Sequence, residues 1–88
     1  GSKVYSVAAG EVTLITELPY YGKTIIISHE NGYKSVYSTL SEVNVVVGDI
    51  VKLNQVIARS GETLDGQAMH FELWQNAAPV NPREWLRF

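Results

Sequence analysis

The chain has 88 residues, 45% of them hydrophobic and including two Trp, five Tyr and two Phe, which supplies one modest core, leaves nothing for a second and lies far from disordered compositions. Seven basic and nine acidic residues give a formal net charge of −2; the scattered Lys and Arg exclude the concentrated basic face that phosphate neutralisation requires, so nucleic acid is not an expected partner. There is no cysteine, which removes disulfides and thiolate metal sites, and no apolar run approaches the ~20 residues needed to span a bilayer.

Gly1-Ser2 reads as a remnant of tag cleavage, and residues 3–88 as a single domain expected to be truncated at its N-terminus. Strands are predicted over 4–7 and 11–18, broken at Ala9-Gly10, and Pro19-Tyr20-Tyr21-Gly22 closes a turn. Residues 23–30 and 33–40 flank Asn31-Gly32, a dipeptide that accepts the two positive φ angles of a type I′ hairpin turn. A two-residue turn would set Glu30 opposite Tyr33, Ile27 opposite Val36 and Thr24 opposite Thr39. Short strands follow over 43–47, 50–53, 55–60 and 68–75, and Asn81-Pro82-Arg83-Glu84 has the cap, first-turn proline and glutamate of a short helix start that would dock Trp85 and Leu86. The expected fold is mostly β, an antiparallel β-sheet or sandwich with a short C-terminal helical turn.

Val7-Ala8-Ala9-Gly10-Glu11-Val12 and Val45-Val46-Val47-Gly48-Asp49-Ile50 repeat a valine strand, a glycine turn and an acidic residue, as a duplicated β motif would. The second copy also suits a swinging-arm carrier. Such a carrier needs a lysine at an exposed hairpin tip, and the strongest tip, Asn31-Gly32, has none.

Chemistry concentrates in Ala68-Met69-His70-Phe71-Glu72 and Tyr37-Ser38-Thr39-Leu40. In a half-buried strand, residues two apart share a face, so Ala68, His70 and Glu72 are predicted along one groove wall, with Met69 and Phe71 turned to the core. The predicted register puts Tyr37 and Thr39 on one face with Thr24 and Ile26, and His29 on the other, as a structural imidazole near the turn. A catalytic zinc takes three protein ligands and an open position for water, and the chain has two histidines in all, His29 and His70. Asp65 in the preceding loop could complete a His-Asp-Glu set with His70 and Glu72 only on paper. No metal, cofactor or catalytic residue is therefore expected.

In the order Val4 to Val12, Tyr21-Gly22, Ile27 to Tyr33, Tyr37 to Leu40, Val47-Gly48-Asp49, Gln55 to Ala58, His70-Phe71-Glu72 and Pro79 to Pro82, the chain resembles LytM-type (lysostaphin-like) metallopeptidase domains. Active members carry H-x-H-F-E and Y-x-H-L. By this resemblance His70 matches a zinc ligand, whereas Ala68 and Thr39 stand at the two histidines that polarise water and steady the transition state. In active members of the family a further H-x-x-x-D pair lies a short way upstream of the segment that matches Val4. The resemblance implies a non-catalytic domain of the bacterial cell envelope, periplasmic or extracytoplasmic. Its vacated groove, bordered by Tyr20, Tyr21, Tyr37, Thr39, Ala68, His70 and Glu72, would bind a protein partner such as a peptidoglycan amidase or its regulator. Passive binding of peptidoglycan and a truncated zinc endopeptidase are the competing expectations.

Overall fold

Period-two alternation of apolar residues builds nearly the whole molecule from strands. A computed structural model describes residues 1–63, 66–75 and 78–80. Its strands are β1 (Lys3–Tyr5), β2 (Gly10–Leu18), β3 (Gly22–Ser28), β4 (Tyr33–Val43), β5 (Ile50–Val51), β6 (Val56–Thr63), β7 (Gly66–Ala68), β8 (His70–Gln75) and β9 (Ala78–Val80). All pairings are antiparallel, in the order β1-β6-β4-β3-β2-β5, with β8 between β4 and β9, and β7 against β6. The eleven-residue β4 organises the sheet. Its first half pairs with β8 and its second half with β6, while β3 runs along the opposite side.

Val4, Val12, Ile25, Ile27, Tyr37, Leu40, Val45, Val51, Ile57 and Ala58 close the core, with Val7, Ile15, Val43 and Phe71 packed against it. Gly10 starts β2 where no side chain fits: a Cβ there would stand 2.3 Å from the Ser28 carbonyl oxygen. The 43–47 strand expected from sequence is replaced by a turn. Asn44 N–H donates to the Ile57 carbonyl, Asp49 N–H to the Val46 carbonyl, and the Asp49 carboxylate accepts from Val46 N–H; this local bond holds the turn that delivers β5 to β2. The expected C-terminal helical turn with Trp85 and Leu86 lies outside the described residues, as does Asp65.

The hairpin of β3 and β4 forms with positive φ at both Asn31 and Gly32, 62° and 77°, and Tyr33 N–H donates to the Glu30 carbonyl. Its register differs by one residue from the expected one. His29, not Glu30, donates its N–H to the Tyr33 carbonyl at 2.8 Å, so Ile27 lies opposite Ser35 and Ile26 opposite Val36. The physical reason is burial. Three successive isoleucines leave the face undetermined, and this register sends Ile25 and Ile27, both fully buried, into the core with Tyr37. A second irregularity restores the offset between Lys23 and Ile25, so that Lys23 meets Leu40. The residue squeezed out is Thr39, at φ 60°.

Candidate functional site

The outer face of β2, β3, β4 and β8 forms a concave floor in three rows. Leu14, Ile26, Val36 and Glu72 are successive cross-strand neighbours, as are Thr16, Thr24, Ser38 and His70 on one side and Ser28, Lys34 and Trp74 on the other. Of these rows Ile26, Lys34, Val36, Ser38, His70, Glu72 and Trp74, with Leu18 and Tyr21 at the rim, line an open cleft of about 370 Å³. Its walls are mainly apolar, and a hydrogen-bonded polar set lies at its β8 end.

At that end Glu72 is held from both sides. Its Oε2 accepts from His70 Nε2 at 2.6 Å and its Oε1 from Trp74 Nε1 at 2.8 Å. A carboxylate only accepts, so His70 carries its proton on Nε2 in this arrangement. These bonds, His70 first and Trp74 second, hold the Glu72 carboxyl below its ordinary range, since each favours the charged form. Tyr21 lies against the other side of the imidazole, ring centroids 4.9 Å apart. Beneath them the buried Thr24 and Ser38 hydroxyls are hydrogen-bonded at 3.1 Å.

Of the residues anticipated from sequence, Tyr21, His70 and Glu72 meet in this cleft. Thr39 borders it through its backbone, its N–H donating to the Tyr21 carbonyl at 2.6 Å, which anchors the turn carrying Tyr21. Four expectations need correction. Tyr37 faces the core, 1% exposed, because the one-residue register offset places it opposite Ile25. Its hydroxyl accepts from Val7 N–H, and burial raises its pKa against the opposing hydrogen bonds with Ser35, Val7 and Ser6. Tyr20 projects fully into solvent from the turn. Ala68 and His70 do not share a strand: Ala68 ends β7 opposite Gly61, and His70 begins β8 opposite Ser38. The break falls at Met69, which is exposed rather than core, while Phe71 packs against Tyr37 as expected.

Of the residues that line the cleft, Leu18, Ile26, Lys34, Val36, Ser38 and Trp74 were not anticipated. Their signal was present as period-two alternation in Leu14-x-Thr16-x-Leu18, Lys34-x-Val36-x-Ser38 and His70-x-Glu72-x-Trp74, but only the register aligns the three series.

His29 lies on the other face. Its Nδ1 donates to the Ala9 carbonyl at 2.8 Å, and its Nε2 lies 2.6 Å from the Ser35 hydroxyl, which donates to it in the neutral ring. Burial lowers its pKa, with the Ala9 bond opposing. This is a structural imidazole that ties the segment before β2 to β4.

A β-branched residue at positive φ is sterically costly. Thr39→Asn places a residue that tolerates this conformation, and we expect stability to rise by about 1 kcal/mol, or roughly 4–8 °C in Tm for a domain of this size. Thermal unfolding followed by circular dichroism measures it; a lowered Tm would mean that the Thr39 side chain contributes more than its backbone costs.

The chain matches peptidase family M23 over residues 1–82, and it belongs to that family. Among similar curated proteins are the murein hydrolase activator EnvC of Escherichia coli, 34% identical over 98% of this chain and 21% of its own length, and the peptidoglycan DD-endopeptidase ShyB of Vibrio cholerae, 37% identical over 92% and 20%. The chain therefore spans about a fifth of these relatives. A solved complex of SpoIIIAH and SpoIIQ contains a similar chain, at 35% identity and a TM-score of 0.86, covering 96% of this chain and 62% of that one. Relatives are thus named both as enzymes and as activators.

Zinc in such enzymes needs converging donors. Among the described residues no group of three His, Cys, Asp or Glu side chains could hold a metal. His70 and Glu72 do converge, and they are bonded to each other. Ala68 and Thr39 offer no imidazole. The described residues do not fit a catalytic zinc, and no chemical step is assigned through one.

Proposed function

We propose that this domain is a non-catalytic member of family M23 that binds a protein partner in the cleft and thereby activates or scaffolds peptidoglycan amidases in the bacterial cell envelope. The observation that carries this reading is the closed His70–Glu72–Trp74 arrangement within an apolar cleft; the motif resemblance, which sets Thr39 and Ala68 at two histidine positions, supports it. A site built for hydrolysis keeps nitrogen and carboxylate donors aimed at a metal and water. Here they bond to one another, and what remains is apolar surface with Tyr21 and Trp74, the residue types that anchor protein contacts. The activator EnvC and the SpoIIQ of the SpoIIIAH complex, both similar to this chain, support a partner-binding role.

The test adds the full-length protein to a purified cell-wall amidase acting on dye-labelled sacculi. Dye release should rise in its presence, and Trp74→Ala should reduce that stimulation about ten-fold with little change in Tm. Cleavage of cell-wall peptides by the protein alone, supplied with zinc, would overturn the proposal. Retention on sacculi without any effect on the amidase would replace it with passive wall binding.

A further inference from the structure

Among the described residues, β2 is the one long strand with a side left open. β3, β4, β6 and β8 each have neighbours on both sides, and the strands with a single neighbour, β1, β5, β7 and β9, have only two or three residues. β2 is nine residues long and covered by β3 on one side. On the other side β5 reaches only Gly10 and Glu11, and the last backbone bonds join Val12 to Gly48 and Asp49. Residues 13–18, about 20 Å of strand at ~3.4 Å per residue, have no described backbone partner there.

Open edges are ordinarily blunted by lysine, proline or bulges. Residues 13–18 contain neither lysine nor proline, and residues 14–18 pair one for one with β3, so this part of the edge is regular. It is continuous with the cleft: Leu14, Thr16 and Leu18 alternate onto the cleft face, with Leu14 45% and Leu18 39% exposed. It is also acidic. Glu17 is exposed, and Lys23, its cross-strand neighbour, instead donates to the Ser41 carbonyl.

Resting on the partner-binding reading above, we propose that the occupant of the cleft binds as an added strand along β2. An extended segment of the partner satisfies the open backbone groups of residues 13–18. It lays branched apolar side chains, at every second position, over Leu14 and Leu18, and sets a basic residue opposite Glu17. Main-chain bonds supply the common part of the affinity, and the alternating side chains supply the selectivity.

The probe is a capped ten-residue peptide of alternating valine and lysine, compared with its valine-glutamate counterpart and with versions N-methylated at alternate residues in either frame. Titrated into the isotope-labelled full-length protein, the valine-lysine peptide should slow hydrogen exchange of edge-facing amides within residues 13–18 about ten-fold or more. N-methylation in one frame should weaken binding about ten-fold, and Glu17→Lys should shift preference toward the glutamate peptide. Absence of binding, binding without protection at 13–18, or a symmetric dimer that buries β2 would overturn the inference. If protection fails while Trp74→Ala still abolishes amidase stimulation, the added strand is wrong and the cleft reading stands. If protection appears but Trp74→Ala changes nothing, the cleft reading is the one that fails.

Discussion

Gly10→Ala is expected to destabilise the domain by about 3 kcal/mol, the upper end of the usual cost of overpacking, because the atoms it meets cannot withdraw. The added Cβ would stand 2.3 Å from the Ser28 carbonyl oxygen, 2.7 Å from His29 Nδ1 and 2.8 Å from Ile27 Cγ2. The first is backbone of β3, the second is committed to the Ala9 carbonyl at 2.8 Å, and the third belongs to a fully buried core side chain. Relief requires moving the start of β2 away from β3, which also disturbs the pairing of Gly10 with Val51. Thermal unfolding should drop by more than about 10 °C. A variant within a few degrees of the parent would mean that β2 and β3 separate at this point at little cost.

The second large effect concerns Tyr37, the largest fully buried side chain among the described residues. Tyr37→Ala should cost about 3–5 kcal/mol, the range for emptying an aromatic site in a core. Tyr37→Phe keeps the ring against Phe71 but takes the acceptor from the part-buried Val7 N–H, and leaving that donor unmatched should cost about 1 kcal/mol, the low end for a buried group. Urea unfolding of both variants gives the comparison, and an unchanged m-value shows that stability alone has moved. A neutral Tyr37→Phe would indicate that Val7 finds water and that the hydroxyl is dispensable.

The two residues also mark how far the chain could be read without coordinates. Asn31-Gly32 announced its turn conformation correctly, because few dipeptides accept two successive positive φ angles. It could not announce the register, since a single extra residue at His29 moves the pairs from Ser28–Lys34 to Ile25–Tyr37 by one and Ile25-Ile26-Ile27 fits either face equally well. Tyr37 consequently looked like a groove residue and is a core residue. In the same way Ala68 to Glu72 read as one strand, because nothing in its side-chain pattern signals a change of neighbour. The break at Met69, where the chain leaves β6 for β4, arises from pairing with residues far along the sequence.

The residue types alone fixed the chemistry available: two histidines, no cysteine, and enough apolar alternation for an antiparallel β domain. These are properties of composition and local periodicity, which neighbours along the chain already define. What only the tertiary structure decided is which alternating series face each other. Leu14, Ile26, Val36 and Glu72 come from four strands and meet through two register offsets and a shared central strand. Core burial chose those offsets, so the cleft is a consequence of packing on the opposite side of the sheet.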